Sequence, residues 1–80
     1  MQILKHNRMF GQNIRALRKA AGLTQEQTAA KLQLMGLDLS RAVYAQIECG
    51  MRNIHVEEIA ALKQIFGATY DDFFVGFENE

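Results

Sequence analysis

The chain has no proline, a single cysteine and no net charge among its 80 residues. One cysteine cannot form an internal disulfide, which is typical of proteins in a reducing compartment. The apolar runs are only a few residues long, too short for a membrane-spanning helix. The first ten residues also lack the apolar stretch and small-residue cleavage site of a secretory signal. With no linker-like segment either, we expect one cytoplasmic domain over residues 1–80.

The zero net charge conceals an asymmetry along the chain. Residues 1–52 contain eight Lys or Arg against three Asp or Glu, whereas residues 53–80 contain one against six. The two segments therefore carry charges of +5 and −5. The first segment would attract a polyanion such as nucleic acid and the second would repel it. Charged surfaces are often only solvated, so this pattern alone is weak support for nucleic-acid binding.

Glycines and capping residues divide the chain into helices. Glycine readily ends a helix in a left-handed conformation. Thr24, followed three residues later by Gln27, has the pattern of a capping box. Phe10, Ile14 and Leu17 recur at the spacing of one helix face, and no segment alternates as a strand does. We therefore predict an all-α, compact five-helix domain, with helices at residues 7–21, 25–35, 41–49, 56–66 and 70–75.

The third predicted helix has two different faces. At 100° per residue, Val43, Tyr44 and Ile47 share one apolar arc. The other arc is small and polar and holds Arg41, Ala42, Ala45, Gln46 and Cys49. Arginine can pair with guanine and glutamine with adenine, and an alanine methyl can contact the thymine methyl. Any amphipathic surface helix has a polar side, so spacing alone leaves DNA contact and simple solvation both open.

Two ordered motifs occur in the chain. Arg-x-x-x-Gly-Leu-Thr-Gln occupies residues 18–25, and Ser-x-x-x-apolar-x-x-Ile-Glu-x-Gly-x-Arg occupies residues 40–52. Together they resemble the Xre/Cro/C1-type helix-turn-helix family of phage and bacterial repressors, over about residues 9–74. The resemblance implies a repressor-like DNA-binding domain in which helices 2 and 3 form the helix-turn-helix and helix 3 enters the major groove.

The resemblance also implies three groups of site residues. The base-contacting positions are matched by Arg41, Ala42 and Gln46. The positions that contact the DNA backbone or brace the recognition helix are matched by Gln25, Ser40, Cys49 and Arg52, with Arg15 and Lys19 as further electrostatic candidates. Arg18 and Glu48 match a partly buried structural ion pair between the first helix and the end of the third. The alternative for Gln25 is an ordinary first-turn residue, and for Arg41 and Gln46 it is a solvated surface side chain. For Arg18 and Glu48 the alternative is two unrelated surface charges.

One segment departs from the family pattern. The sequence QLMGLDL lengthens the connection between helices 2 and 3 by about five residues. We interpret it as an extra turn on the second helix followed by a wider loop. Leu34, Leu37 and Leu39 are then expected to cover the core. The longer loop puts the individual DNA contacts of the family in question for this chain.

Other kinds of chemistry are not indicated. His6 and His55 have no partner at metal-ligand spacing, and Cys49 has no histidine near it in sequence to activate a thiol. The sequence shows neither a phosphate-binding glycine loop nor a pair of catalytic carboxylates. We therefore expect no catalytic residue, no metal and no cofactor, and we do not expect an enzyme.

The preferred interpretation is a transcriptional regulator, of the repressor type, that binds specific sequences of double-stranded DNA. One alternative is the antitoxin of a toxin–antitoxin pair, which regulates its own synthesis. Another is a protein-interaction module that has kept the fold without binding DNA. The possible protein partners under these interpretations are a toxin or an antirepressor.

The predicted state on DNA is a homodimer, because a single recognition helix reads too few base pairs for genomic specificity. The C-terminal aromatic segment is the expected interface. Phe73 is predicted in the core, with Phe74, Val75 or Phe77 facing the partner. The alternative is that this segment folds back and completes its own core, leaving a monomer that dimerises only on DNA.

Overall fold

The computed structural model describes residues 3–77, with side chains from residue 8 onward; the side chain of His6 lies outside this range. The described residues form five α-helices and no strand. The helices are α1 (Ile3–Ala20), α2 (Gln25–Leu34), α3 (Arg41–Glu48), α4 (Val56–Phe66) and α5 (Tyr70–Phe73). The predicted all-α, five-helix class is confirmed. Within the described range, no helix has both the length and the apolarity needed to cross a membrane.

The helix ends differ from the predicted ones by a few residues. α1 begins at Ile3, four residues earlier than predicted, because no glycine or proline interrupts the chain before residue 7. α5 ends at Phe73, two residues earlier than predicted, and Phe74 leaves the helical conformation with φ −112° and ψ 19°. α2 and α3 each end one residue early, at Leu34 and Glu48.

Side-chain caps explain where three of the helices begin. At the start of α2, Thr24 Oγ1 accepts from the Gln27 N–H at 3.0 Å, and Gln27 Oε1 accepts from the Thr24 N–H at 2.9 Å. Thr69 and Asp72 form the same reciprocal pair at α5, with 3.3 and 3.0 Å. Ser40 Oγ accepts from the backbone N–H three residues ahead in α3. The predicted capping box of α2 is confirmed.

Apolar side chains from all five helices form one core. α3 packs against both α1 and α2, α4 packs against α2, and α5 packs against α1. Burying a large apolar side chain contributes about 1.5–3 kcal/mol, so this cluster supplies the main driving force for folding. Its buried members are Phe10, Ile14, Ala29, Leu32, Leu39, Tyr44, Ile47, Ala61, Leu62 and Phe73.

α1 and α3 approach each other most closely at Gly11. A Cβ atom at this position would lie 2.5 Å from the carbonyl oxygens of both Ile47 and Glu48. No side chain fits in that space, so α1 can approach the last turn of α3 only with glycine here. A glycine inside a helix costs about 0.5–1 kcal/mol relative to alanine, which the close packing offsets.

Of the three leucines predicted to cover the core near the connection between α2 and α3, two do so and one does not. Leu39 is buried and Leu37 packs partly against the core, as predicted. Leu34, in contrast, is 88% exposed, so the prediction that it covers the core is wrong. It follows the buried Leu32 by two residues, about 200° around the helix, and therefore projects on the opposite side. Gln33 Nε2 donates to the Leu39 carbonyl at 2.8 Å and secures the connection.

The C-terminal segment folds back over α1. The ring of Phe10 lies 5.9, 5.0 and 6.1 Å, centroid to centroid, from the rings of Phe73, Phe74 and Phe77. Phe73 is fully buried, which confirms its predicted place in the core, and Phe77 is partly buried. Phe74 and Val75 remain 44% and 60% exposed. The segment thus completes part of the core and leaves an apolar surface beside it.

Asn13 fastens the backbone of this segment to α1. Its Nδ2 donates to the carbonyl oxygens of Phe73 and Val75, each at 2.9 Å. One amide group therefore satisfies two carbonyls at the end of α5, where the last turn of a helix lacks partners of its own.

Candidate nucleic-acid interface

The two faces of α3 are separated as the sequence predicted. Tyr44 and Ile47 are buried against the core. The exposed positions of the helix and its C-cap are Arg41, Ala42, Gln46 and Cys49. One arginine and one amide thus stand among small side chains, so an approaching surface can come close to the helix backbone. The predicted division into an apolar and a small polar face is confirmed, except that Ala45, predicted on the polar face, is half-buried.

A buried ion pair joins α1 to the end of α3. Arg18 Nε donates to Glu48 Oε2 at 2.6 Å, and Arg18 Nη2 donates to Glu48 Oε1 at 3.2 Å. The two side chains are only 10% and 3% exposed. Arg18 Nη1 also donates to the Leu23 carbonyl at 2.8 Å, so the same guanidinium holds the turn before α2. The fork of arginine matches a carboxylate in this way with two parallel hydrogen bonds.

Two further donors complete the shell of the Glu48 carboxylate. Gln25 Nε2, at the first position of α2, donates to Oε1 at 3.0 Å. The Tyr44 hydroxyl, four residues back in α3, donates to Oε2 at 2.5 Å. The carboxylate therefore accepts four hydrogen bonds, from α1, α2 and α3. We call Arg18, Gln25, Tyr44 and Glu48 the Glu48 network.

The network sets the ionisation of its members. Burial alone would raise the pKa of Glu48, but the hydrogen bonds from Arg18, Tyr44 and Gln25 outweigh burial and lower that pKa below its ordinary value. Burial, together with the hydrogen bond to Glu48, raises the pKa of the Tyr44 phenol far above its usual range. The hydrogen bond to Glu48 raises the pKa of Arg18. At neutral pH the network therefore has one anion, one cation and a protonated phenol.

A concave surface of about 600 Å³ lies over this network, between the end of α1, the start of α2 and the start and end of α3. It brings together Arg15, Gln25, Arg41 and Cys49 from the sequence-predicted set, with Glu26 as the one exposed acid. Because Arg18 is paired with Glu48, the unpaired positive charges of this surface are Arg15 and Arg41 among the described residues. Lys19 is exposed on α1 outside the concavity.

Ser40 and Arg52 are engaged within the chain itself. Ser40 caps α3 through its hydroxyl oxygen. Arg52 is half-buried and donates through Nη1 and Nη2 to the two carboxylate oxygens of Glu58, each at 3.2 Å. Sequence reasoning missed Glu58, because an acid in the first turn of a helix is ordinarily explained by the helix dipole. It also missed Gly11, for which a glycine inside a helical pattern was the available signal.

Among the described side chains, no group of three or more His, Cys, Asp or Glu residues is placed to hold a metal ion. His55 is exposed and forms the N-cap of α4. Cys49 is a free, exposed thiol at the C-cap of α3.

An exposed polar helix, held by its opposite face against a preceding helix and a third supporting helix, is the geometry of a helix-turn-helix DNA-binding domain. Comparison with known proteins agrees with the geometry. Residues 9–73 match a family described as a helix-turn-helix domain. The chain is also 33% identical over 72 residues to the protein named Control protein C.MunI, from Mycoplasma sp, covering 89% of this chain and 90% of that protein.

The chain therefore belongs to the Xre-type helix-turn-helix family. This family consists of DNA-binding transcriptional regulators rather than enzymes, and DNA-binding regulation is the general function of this chain.

Proposed function

We propose that this protein recognises a specific sequence of double-stranded DNA through the exposed face of α3 and represses transcription from the promoter that carries it. The observation behind the proposal is the fixed orientation of α3. Its buried side is tied by Glu48 to α1 and α2, while Arg41, Ala42 and Gln46 stay exposed. A rigid helix with a small, polar outer face suits entry into the major groove.

The proposed contacts fall into two kinds. Arg41, Ala42 and Gln46 read base edges, as guanidinium, methyl and amide groups can in the major groove. Contacts to phosphates would position the domain without reading sequence. The residues proposed for this second role are Arg15, Lys19, Gln25, Ser40, Cys49 and Arg52.

Direct readout has a specific test in Gln46→Ala. An operator is first selected from a random duplex pool, and affinities for single-base variants are then measured. We expect the substitution to remove discrimination at one base pair, by about 1–3 kcal/mol, while unfolding is unchanged. Gln64→Ala is the matched control, because Gln64 is also exposed but lies on α4. Unchanged discrimination in Gln46→Ala would show that α3 does not read bases in this way.

Repression is the simplest regulatory outcome of this binding. A protein that occupies a promoter excludes polymerase by bulk and needs no contact with it. The name of the similar protein, Control protein, describes regulation and is compatible with this role. The test is transcription from the selected operator in vitro, where added protein is expected to lower transcript yield. An increase in yield would show activation instead. A chain that binds no duplex at all would be an interaction module.

The proposed assembly on DNA is a homodimer on a two-fold operator, with recognition helices about 34–36 Å apart. The proposed interface is the surface of Tyr70, Phe74 and Val75, which are 51%, 44% and 60% exposed. These residues lie on or just after α5, which packs against α1. Exposed apolar groups that lie this close together in sequence offer a surface that a second copy can cover.

Val75→Glu tests this interface. The substitution places a charge in the proposed contact and is expected to shift the protein from dimer to monomer in sedimentation at micromolar concentration. Val56→Glu is the matched control, because Val56 is 80% exposed at the start of α4, outside the proposed interface. A wild-type monomer under these conditions would leave dimerisation to the DNA-bound state, which sedimentation with the operator duplex measures.

A further inference from the structure

Arg52 lies in the loop that follows α3 and is held by a second ion pair. Nη1 and Nη2 of Arg52 donate to Oε1 and Oε2 of Glu58, each at 3.2 Å, and Nη1 also donates to the Asn53 carbonyl at 3.3 Å. The Arg52 side chain is 27% exposed, whereas that of Glu58 is 7% exposed. The carboxylate is therefore the more deeply buried partner, and part of the Arg52 side chain stays open to solvent.

The hydrogen bonds leave one defined edge of the guanidinium open. An arginine has five N–H groups in a planar fork. Here Nη1 donates to two acceptors and Nη2 to one. Within the described part of the chain, no acceptor is bonded to the Nε–H or to the second Nη2–H of Arg52. These two N–H groups lie parallel on the same edge, the arrangement that binds a phosphate with two hydrogen bonds.

Glu58 is anchored by a contact of its own that does not involve Arg52. Its Oε1 accepts from the His55 backbone N–H at 2.9 Å, which caps the start of α4. The residue is 5% exposed overall and belongs to the first turn of that helix. A carboxylate anchored in this way can hold a long, flexible arginine in a single orientation.

We infer that Glu58 is a positioning residue for DNA binding, which holds Arg52 so that its Nε–Nη2 edge meets a backbone phosphate. The inference rests on the proposed function and adds to it the residue that orders one phosphate contact. Because Arg52 is ordered before DNA arrives, less side-chain freedom is lost on binding. Phosphate contacts carry no sequence information, so the contribution is the same for every duplex.

A simpler role for Glu58 makes the opposite prediction. If its negative charge only cancelled that of Arg52, removing the charge would strengthen binding to the DNA polyanion and steepen its dependence on salt. The decisive variant is Glu58→Gln, which keeps an oxygen to accept from the His55 N–H. Its matched control is Glu57→Gln, an exposed neighbour in the same helical turn. Both variants change net charge equally, so their difference isolates the contact with Arg52.

We expect Glu58→Gln to bind operator and unrelated duplex about 2- to 10-fold more weakly than Glu57→Gln, the range for losing the order of one side chain. The dependence of affinity on salt should not steepen. Titration of labelled duplexes at several salt concentrations measures both quantities, and thermal unfolding monitors the fold. Binding by Glu58→Gln that equals or exceeds that of Glu57→Gln would overturn the inference.

Substitutions of Arg52 provide a second test of the inference. Arg52→Ala should weaken all duplexes alike and lower the magnitude of the salt slope by about 0.9, the loss of one phosphate. In the Arg52→Ala background, Glu58→Gln should then bind as Glu57→Gln does. Arg52→Lys keeps the charge but lacks the fork, and we expect it to bind nearly as weakly as Arg52→Ala. Full affinity in Arg52→Lys would also overturn the inference, without any change to the α4 cap.

The outcomes separate this inference from the proposed function. If the wild-type chain binds no duplex DNA, the proposed function fails first. If it binds, and Gln46→Ala loses base discrimination while Glu58→Gln binds as Glu57→Gln does or Arg52→Lys keeps full affinity, only the positioning role is wrong.

Discussion

Two regions of this small domain are stabilised by different interactions. α1, α2 and α3 meet at one buried carboxylate, Glu48, which accepts four directional hydrogen bonds. α5 is attached to α1 chiefly through the rings of Phe10, Phe73 and Phe74, with centroids 5.9 and 5.0 Å from Phe10, and also by two hydrogen bonds from Asn13 to backbone carbonyls. Hydrogen bonds fix the orientation of the helices that they join, whereas apolar packing tolerates small changes in the shape of the side chains in contact. The larger set of directional interactions therefore lies at α3, the helix proposed to read DNA.

Ion pairs within the domain use part of the positive charge of residues 1–52. Residues 1–52 carry eight basic side chains, but Arg18 and Arg52 are paired with Glu48 and Glu58. Part of the positive charge that appears available for a polyanion is thus used inside the domain. The more acidic C-terminal segment contributes Glu58 to one of these pairs, so the two regions are not electrostatically independent.

The largest effect is expected from breaking the Glu48 network. Arg18→Met leaves Glu48 as a buried anion with two neutral donors, and we expect a loss of about 3–5 kcal/mol in the free energy of unfolding. Chemical denaturation measures this loss. Arg15→Met is the matched control, since Arg15 is exposed on the same helix, and it should change stability by about 0.5 kcal/mol at most.

The double variant Arg18→Met/Glu48→Gln distinguishes the loss of the ion pair from the cost of a buried charge left without its partner. Without the carboxylate, no uncompensated charge remains, so the double variant should be more stable than Arg18→Met alone. A melting temperature for Arg18→Met equal to that of the wild type would rule out a structural role for the pair.

A smaller effect is expected from the close contact of α1 with α3. Gly11→Ala adds a Cβ that would meet two backbone carbonyl oxygens at 2.5 Å, and we expect a cost of about 1–3 kcal/mol from the displaced helix. Phe74→Leu provides the contrast in the aromatic region, where the half-exposed ring can be replaced for less than about 1.5 kcal/mol. Thermal unfolding of both variants compares the two regions directly. A more stable Gly11→Ala would show that α1 can move away from α3 freely.

The smallest effect is expected from acid. Because the pKa of Glu48 is lower in the folded protein than in an unfolded chain, its contribution to stability is complete above the unfolded pKa. It is lost as pH falls through the folded pKa. Urea unfolding from neutral to acidic pH should therefore show a decline below the ordinary range of a glutamate. In Glu48→Gln, already less stable, the decline should be shallower. Parallel curves for both proteins would place the acid sensitivity in other carboxyl groups.

The sequence predicted the helices better than the contacts between them. Local signals, such as the cap at Thr24 and the apolar arc through Tyr44 and Ile47, depend on residues a few positions apart. Leu34 was misplaced because one apolar residue in a short helix does not reveal which side faces the core. The hydrogen bond between Tyr44 and Glu48 was predictable, because residues four apart are neighbours on a helix surface. The Arg52–Glu58 pair was not, because it depends on the path of an irregular loop.

The separation of the two faces of α3 has a consequence for how such a protein can acquire new targets. Arg41, Ala42 and Gln46 are exposed, and no hydrogen bond or ion pair joins their side chains to another described residue. Surface positions of this kind change stability by about 0.5 kcal/mol at most when substituted. A library randomised at these three positions should therefore yield mostly folded proteins. The same scaffold can then be redirected to different operators without repairing its core.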